Sequence, residues 1–121
     1  MNAQRIRKSG FTLVEMMIVV AIVGLLASLT IPSMMRARSN AQRNACINNL
    51  RQIDSGKQQW AVEKNKSSAD TPVESDLQPY VKTLPVCPAG GASSTFANTY
   101  NILTVGEDPV CLINPATHLL H

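Results

Sequence analysis

Three hydropathy patterns succeed one another along the chain. Residues 11–32, FTLVEMMIVVAIVGLLASLTIP, are almost continuously apolar. At ~1.5 Å per residue a helix of this length spans about 30 Å, the thickness of a bilayer's hydrocarbon core. From Ser33 to Lys64 there is no proline and one glycine, Gly56, and the good helix formers Ala, Arg, Gln, Leu and Met dominate. Apolar or small residues recur at Ala41, Ala45, Cys46, Leu50, Ile53 and Trp60, so that the steps from Cys46 keep to one helical face. Arg43, Asn44, Arg51, Gln52, Gln58 and Gln59 fall opposite. Joined, the two patterns predict one helix over 11–64, about 80 Å long. The third pattern is broken. A polar stretch with Pro72 reads as a loop over 64–76, and Ser75–Val81 as a helical turn. Cys87–Gly91 and Gly106–Pro109 read as turns, and the alternating, β-branched runs Thr99–Val105 and Val110–Ile113 as strands. The predicted fold is α+β: a long N-terminal α-helical spine, half membrane-spanning and half amphipathic, with a small loop-rich antiparallel β head. Its segments are 1–10, 11–32, 33–64 and 65–121.

Composition agrees with this division. Of 121 residues 45% are hydrophobic and 4% aromatic, but 16 of the hydrophobic residues lie within 11–32. The remainder is too poor in apolar side chains for a large core. The net charge of +3 is equally local: Arg5, Arg7 and Lys8 account for it, and from Phe11 onward eight basic and eight acidic side chains cancel. A nucleic-acid reading of the positive charge therefore fails once the first ten residues are set aside. What remains is polarised: residues 33–66 carry seven basic side chains (Arg36, Arg38, Arg43, Arg51, Lys57, Lys64, Lys66) against Asp54 and Glu63, and residues 67–121 carry Lys82 against five acidic ones. The arginines at 36, 38 and 43 read either as solvated juxtamembrane charges or as partners for the acidic head of a neighbouring subunit.

Basic residues before an apolar run keep the N-terminus cytoplasmic and direct the rest of the chain across the membrane. The run is too long for a conventional secretory signal, and it contains Glu15. A carboxylate there costs a few kcal/mol unless it is paired or reaches the interface. Cleavage after Gly10 would supply a partner, the α-amino group of Phe11, one helical turn away. Lys8–Ser9–Gly10–Phe11–Thr12–Leu13–Val14–Glu15 resembles the class III prepilin signal of type IV pilins and type II secretion pseudopilins. The resemblance implies cleavage between Gly10 and Phe11 by a membrane prepilin peptidase, N-methylation of Phe11 and a role for Glu15 in assembly. Gly24 and Pro32 also match family positions. The run Ala45–Asp54 with Lys57–Ala61, and the later Cys87–Gly91, Tyr100 and Gly106–Cys111, are similar to small pilin-like proteins. The acidic, Gly-rich calcium loop usual in the major pseudopilin has no counterpart here: Glu107 and Asp108 are the only close acidic pair of the head's C-terminal part.

An exported head permits disulfides. Cys87 and Cys111 flank the strand region, and joining them would close a loop worth roughly 3 kcal/mol in the entropy model. Cys46 then reads as a buried helix residue. Cys46–Cys87 and Cys46–Cys111 remain open alternatives, because spacing does not settle connectivity. A zinc site from Cys87, Cys111, His118 and His121 is disfavoured, since the cysteine spacing is unlike that of zinc motifs. No metal, cofactor or catalytic constellation is expected: the histidines lie at the C-terminus, Ser9 and Cys87 have no base nearby in sequence, and no phosphate-binding loop occurs.

The expected function is that of a structural subunit of a type IV pilus-like filament. It starts as an inner-membrane precursor and ends in a periplasmic or cell-surface fibre. Its partners would be itself, the prepilin peptidase, an inner-membrane assembly platform and the membrane, with nucleic acid only if the pilus takes up DNA. The alternatives are a type II secretion pseudopilin and a monomeric membrane-anchored periplasmic binding module.

Overall fold

The computed structural model describes residues 9–121; the basic positions Arg5, Arg7 and Lys8 of the expected leader lie outside them. A long run dominated by helix formers carries α1 over Leu13–Glu63, through Pro32, within two residues of the predicted limits. The chain divides into two compact units, one up to Ala37 and one of Arg38–His121.

In the first unit every described side chain is exposed. Phe11, Leu13, Val20, Leu25 and Leu29 are each exposed over more than two-thirds of their area. This part of α1 is long and apolar enough to cross a membrane. Its hydroxyls are satisfied within the helix: Ser28 Oγ donates to the Leu25 carbonyl at 2.7 Å, Thr30 Oγ1 to Ala27 at 3.1 Å and Ser33 Oγ to Thr30 at 2.8 Å. Pro32 sits inside the helix and withholds one backbone donor from it.

In the second unit Cys46, Leu50, Ile53 and Trp60 of the predicted face are buried, joined by Gly56, Lys57 and Ala61, whereas Ala41 and Ala45 at its N-terminal end are exposed. The helix ends because Asn65 takes a left-handed conformation (φ 50°). The Lys66 amide then reaches back to the Ala61 carbonyl at 2.8 Å, a closure asparagine tolerates well. After a loop, α2 (Glu74–Leu77) begins where Asp76 accepts the Val73 amide at 3.1 Å. It is followed by a turn that brings Tyr80 and Val81 onto α1. A methyl group added at Gly56 would lie 2.8 Å from Val81 Cγ2, so this crossing needs glycine. A 3₁₀ turn at Pro88–Gly90 and a short helix α3 (Phe96–Thr99) precede the strands.

The strands are shorter than predicted. β1 is Tyr100–Asn101 and β2 is Val110–Cys111, antiparallel, with Tyr100 opposite Cys111. Alternation reports β propensity, but here the backbone donors go elsewhere. Leu103 turns the chain with φ 58°. The Val105 amide then bonds Asp70 at 2.9 Å and the Gly106 amide bonds Ser68 at 2.8 Å. The 102–106 segment is thus clamped to the 68–70 loop instead of extending the ladder.

One core cluster joins Cys46, Leu50, Ile53, Leu77, Cys87, Phe96, Tyr100 and Cys111; a smaller one joins Trp60, Ala61 and Val105. Lys57 is fully buried beside them. Its Nζ donates to the carbonyls of Ile102, at 3.2 Å, and Glu107, with Asp54 3.8 Å away. Burial lowers its pKa, and the charges of Asp54, Asp108 and Glu107 oppose that shift. By sequence Lys57 is one of the helix's basic charges; the structure makes it the tie that holds 102–107 to α1.

Leu50→Ala in the full chain in detergent should cost about 2–5 kcal/mol of head stability in denaturant titration, since Leu50 has no exposed area. Lys57→Met should cost about 1–3 kcal/mol by stranding two carbonyls and should speed amide exchange at Val105 and Gly106. Unchanged exchange there would mean the ammonium does not hold the loop.

Candidate functional site

Two places concentrate unusual side chains. The first is the start of α1. Thr12 and Glu15 stand three apart, the spacing of a reciprocal helix cap. Glu15 Oε2 accepts from the Thr12 amide at 3.0 Å and from Thr12 Oγ1 at 3.3 Å, while the Glu15 amide donates to Thr12 Oγ1 at 3.2 Å. The carboxylate thereby meets the positive end of the helix dipole. The Thr-x-x-Glu spacing announces Thr12 as a capping residue, a role absent from the sequence-based expectations. Gly10 and Phe11 precede the helix, both exposed, Phe11 by 81%. Cleavage between them would leave the new amine one residue from the Thr12 amide that Glu15 already accepts.

The second place is in the head. Four distant positions converge: Cys46 from the middle of α1, Cys87 before the 3₁₀ turn, Cys111 from β2 and His118 from the C-terminal segment. All four are buried, and their ligating atoms lie within 4.8 Å of one another. Cys87 Sγ and Cys111 Sγ are 3.7 Å apart, His118 Nδ1 is 3.8 Å from Cys87 Sγ, and it is 3.7 Å from Cys111 Sγ. Cys87 and Cys111 are thus neighbours, as their expected pairing requires, and the three cysteines stand unbonded in this structure. Of the four residues considered from sequence for a zinc site, three meet. His121 does not: it lies at the surface, with Nε2 3.3 Å from Asp108. Cys46 takes the fourth corner.

Helix α1 positions the cluster's surroundings. Tyr100 OH contacts Cys46 Sγ at 3.5 Å and accepts from Asn49 Nδ2 at 3.0 Å. Asn49 Nδ2 also reaches the Val86 carbonyl at 3.2 Å, next to Cys87. Arg43 Nε donates to the Thr117 carbonyl at 2.9 Å, so this arginine serves its own head. Burial raises the pKa of the Cys46 and Cys87 thiols and of the Tyr100 hydroxyl. Burial, reinforced by the Arg43 charge, lowers that of His118. Burial thus favours the neutral forms of Cys46, Cys87 and His118. Chemically the four groups form a soft donor set of three sulfurs and one imidazole nitrogen.

Comparison with known proteins bears on the first place. Residues 5–31 match the prokaryotic N-terminal methylation motif. The chain is 27% identical over 119 residues to the type II secretion system core protein G of Aeromonas hydrophila, covering 86% of this chain and 78% of that protein. It is 36% identical over 62 residues to the type IV major pilin protein PilA of Myxococcus xanthus, covering 51% of this chain and 28% of the pilin. It is 35% identical over 85 residues to the competence protein ComGC of Bacillus subtilis, covering 69% of this chain and 84% of that relative. No solved structure matches significantly. With a methylation motif at its N-terminus, an exposed apolar helix behind it and a relative matched over most of its length, the chain belongs to the family of type IV pilins and type II secretion pseudopilins.

Proposed function

We propose that the chain is made as a membrane-inserted prepilin, is cut between Gly10 and Phe11, is N-methylated on Phe11, and polymerises through α1 into a type IV pilus-like filament. The observation that carries this reading is the uninterrupted exposure of apolar side chains from Phe11 to Met35, with Glu15 as the only charge among them. Such a surface is unstable in water at roughly 25 cal/mol per Å². It needs lipid before assembly and neighbouring copies of the same segment afterwards.

Glu15 gives the packing a register. Among the described residues its carboxylate meets only dipoles, those of Thr12 and the helix start. In the fibre it pairs with the Phe11 amine of an adjacent subunit, which neutralises both charges in an apolar surrounding where isolated charge is costly. The reading implies a prepilin peptidase and an inner-membrane assembly platform as transient partners. It places the precursor in the inner membrane and the product in the periplasm or on the cell surface, and gives the chain a structural, non-enzymatic role.

A type II secretion pseudopilin is the second reading, supported by the match to core protein G over most of both chains. Deleting the gene separates the two: loss of surface fibres supports the pilus, and loss of exoprotein release with fibres intact supports the pseudopilus.

Purified filaments should yield, by mass spectrometry, a subunit beginning at methylated Phe11; a retained leader would refute the processing step. Glu15→Gln separates charge from capping, because glutamine also completes a Thr-x-x-Glu/Gln cap. It should reduce assembly as severely as Glu15→Ala, whereas Thr12→Ala should leave filaments forming. Normal filament yield from Glu15→Gln would restrict Glu15 to helix capping.

A further inference from the structure

The methylation motif and the apolar helix leave the head's sulfur cluster without a role. A buried histidine in a small core ordinarily finds an oxygen partner. Among the described residues, the ring of His118 instead has Cys87 and Cys111 as its hydrogen-bond-range neighbours. The spacing of these groups suits neither of the usual fates of buried cysteine. A disulfide would bring two sulfurs to about 2.05 Å, and simple apolar packing has no reason to gather three thiols around one ring nitrogen.

The spacing does fit the edges of a metal tetrahedron. Zinc bound at ~2.3 Å to sulfur and ~2.1 Å to nitrogen sets ligand atoms about 3.8 Å apart for two sulfurs and about 3.6 Å for sulfur and nitrogen. The three edges among Cys87, Cys111 and His118 are 3.7, 3.8 and 3.7 Å. Cys46 lies within the same 4.8 Å envelope.

We propose that Cys46, Cys87, Cys111 and His118 bind one zinc ion, through three sulfurs and Nδ1, as a closed structural site in the head. Binding releases the three thiol protons and leaves a site of net charge −1. The surrounding groups suit that charge. The Tyr100 hydroxyl reaches Cys46 Sγ and can donate to it. The Ala89 amide faces the Cys87 sulfur from the turn closed by the Gly90 amide on the Cys87 carbonyl at 3.0 Å. The Arg43 cation is held beside His118 through Thr117. Such outer contacts orient ligands and tune their affinity. With no open corner and every ligand buried, the ion's work is mechanical: it fastens α1, the 87–90 turn, β2 and the C-terminal segment at one point.

The test uses the full chain, purified in detergent without added metal, and zinc measured by mass spectrometry. One zinc per chain is expected. Replacing it with cobalt(II) should give the intense visible absorption of a tetrahedral thiolate site. Chelation should lower Tm by about 10 °C or more. Tyr100→Phe replaces no ligand and removes only the hydroxyl that meets Cys46 Sγ. It should keep the fold and bind zinc roughly 10–100-fold more weakly, which covers the case that Cys46→Ser or His118→Ala fails to fold. Three titratable thiols in a folded chain that takes up neither added zinc nor cobalt would overturn the proposal. So would a Cys87–Cys111 disulfide in protein taken directly from cells. These readouts do not depend on filament formation, so they stand apart from the assembly reading.

Discussion

The head has almost no regular structure with which to hold itself. Its sheet is two strands of two residues each, and its helices beyond α1 are single turns. An isolated pairing of that size is unstable in water. What holds it is one face of α1, where Cys46, Leu50, Ile53, Gly56, Lys57 and Trp60 are buried under the later chain. Leu77 and Val81 cover the middle of that face, Tyr100 and Cys111 the Cys46 end, and Val105 the Trp60 end. Polar ties obey the same logic. Asn49, Lys57 and Gln58 are all donors on α1 whose acceptors are backbone carbonyls of loops. A loop that cannot pair with a sheet still has carbonyls to satisfy, and the helix supplies the donors.

The N-terminal unit obeys the opposite rule. Its apolar side chains are offered outward and none is buried. Both units arise from a single residue pattern, a helix former's sequence whose apolar content changes from all-round to one-sided. All-round apolarity needs a surrounding of lipid or like helices, whereas a one-sided stripe needs only a cover, which the rest of the chain provides.

These large features are legible because they are local: helix extent, the apolar segment, the Gly10–Phe11–Glu15 spacing and the face of α1 all depend on neighbours a turn or two apart. What sequence misses is mostly non-local. Alternation predicts a strand over 99–105, but the 68–70 loop competes for its amides. Lys57 looks like a surface charge because nothing nearby in sequence announces the carbonyls of Ile102 and Glu107. Cys46 falls correctly on the buried face, yet its meeting with Cys87, Cys111 and His118 depends on three separate chain reversals. His121 is nearer in sequence to His118 and is the easier choice. The Thr12–Glu15 cap is a different kind of miss. It is local and readable, but the cost of a charge in an apolar run points to an ionic partner for Glu15 and passes over its neutral one.

The hydroxyls of Ser28, Thr30 and Ser33 each spend their proton on a carbonyl of their own helix. For these hydroxyls a hydrocarbon tail and a neighbouring helix are equivalent surroundings, because neither is asked for a hydrogen bond. Exchanging one for the other breaks no donor–acceptor pair in this stretch. The passage of the segment between solvents is then governed by shape and dispersion contacts, a smooth landscape that lets the helix slide and rotate until it fits.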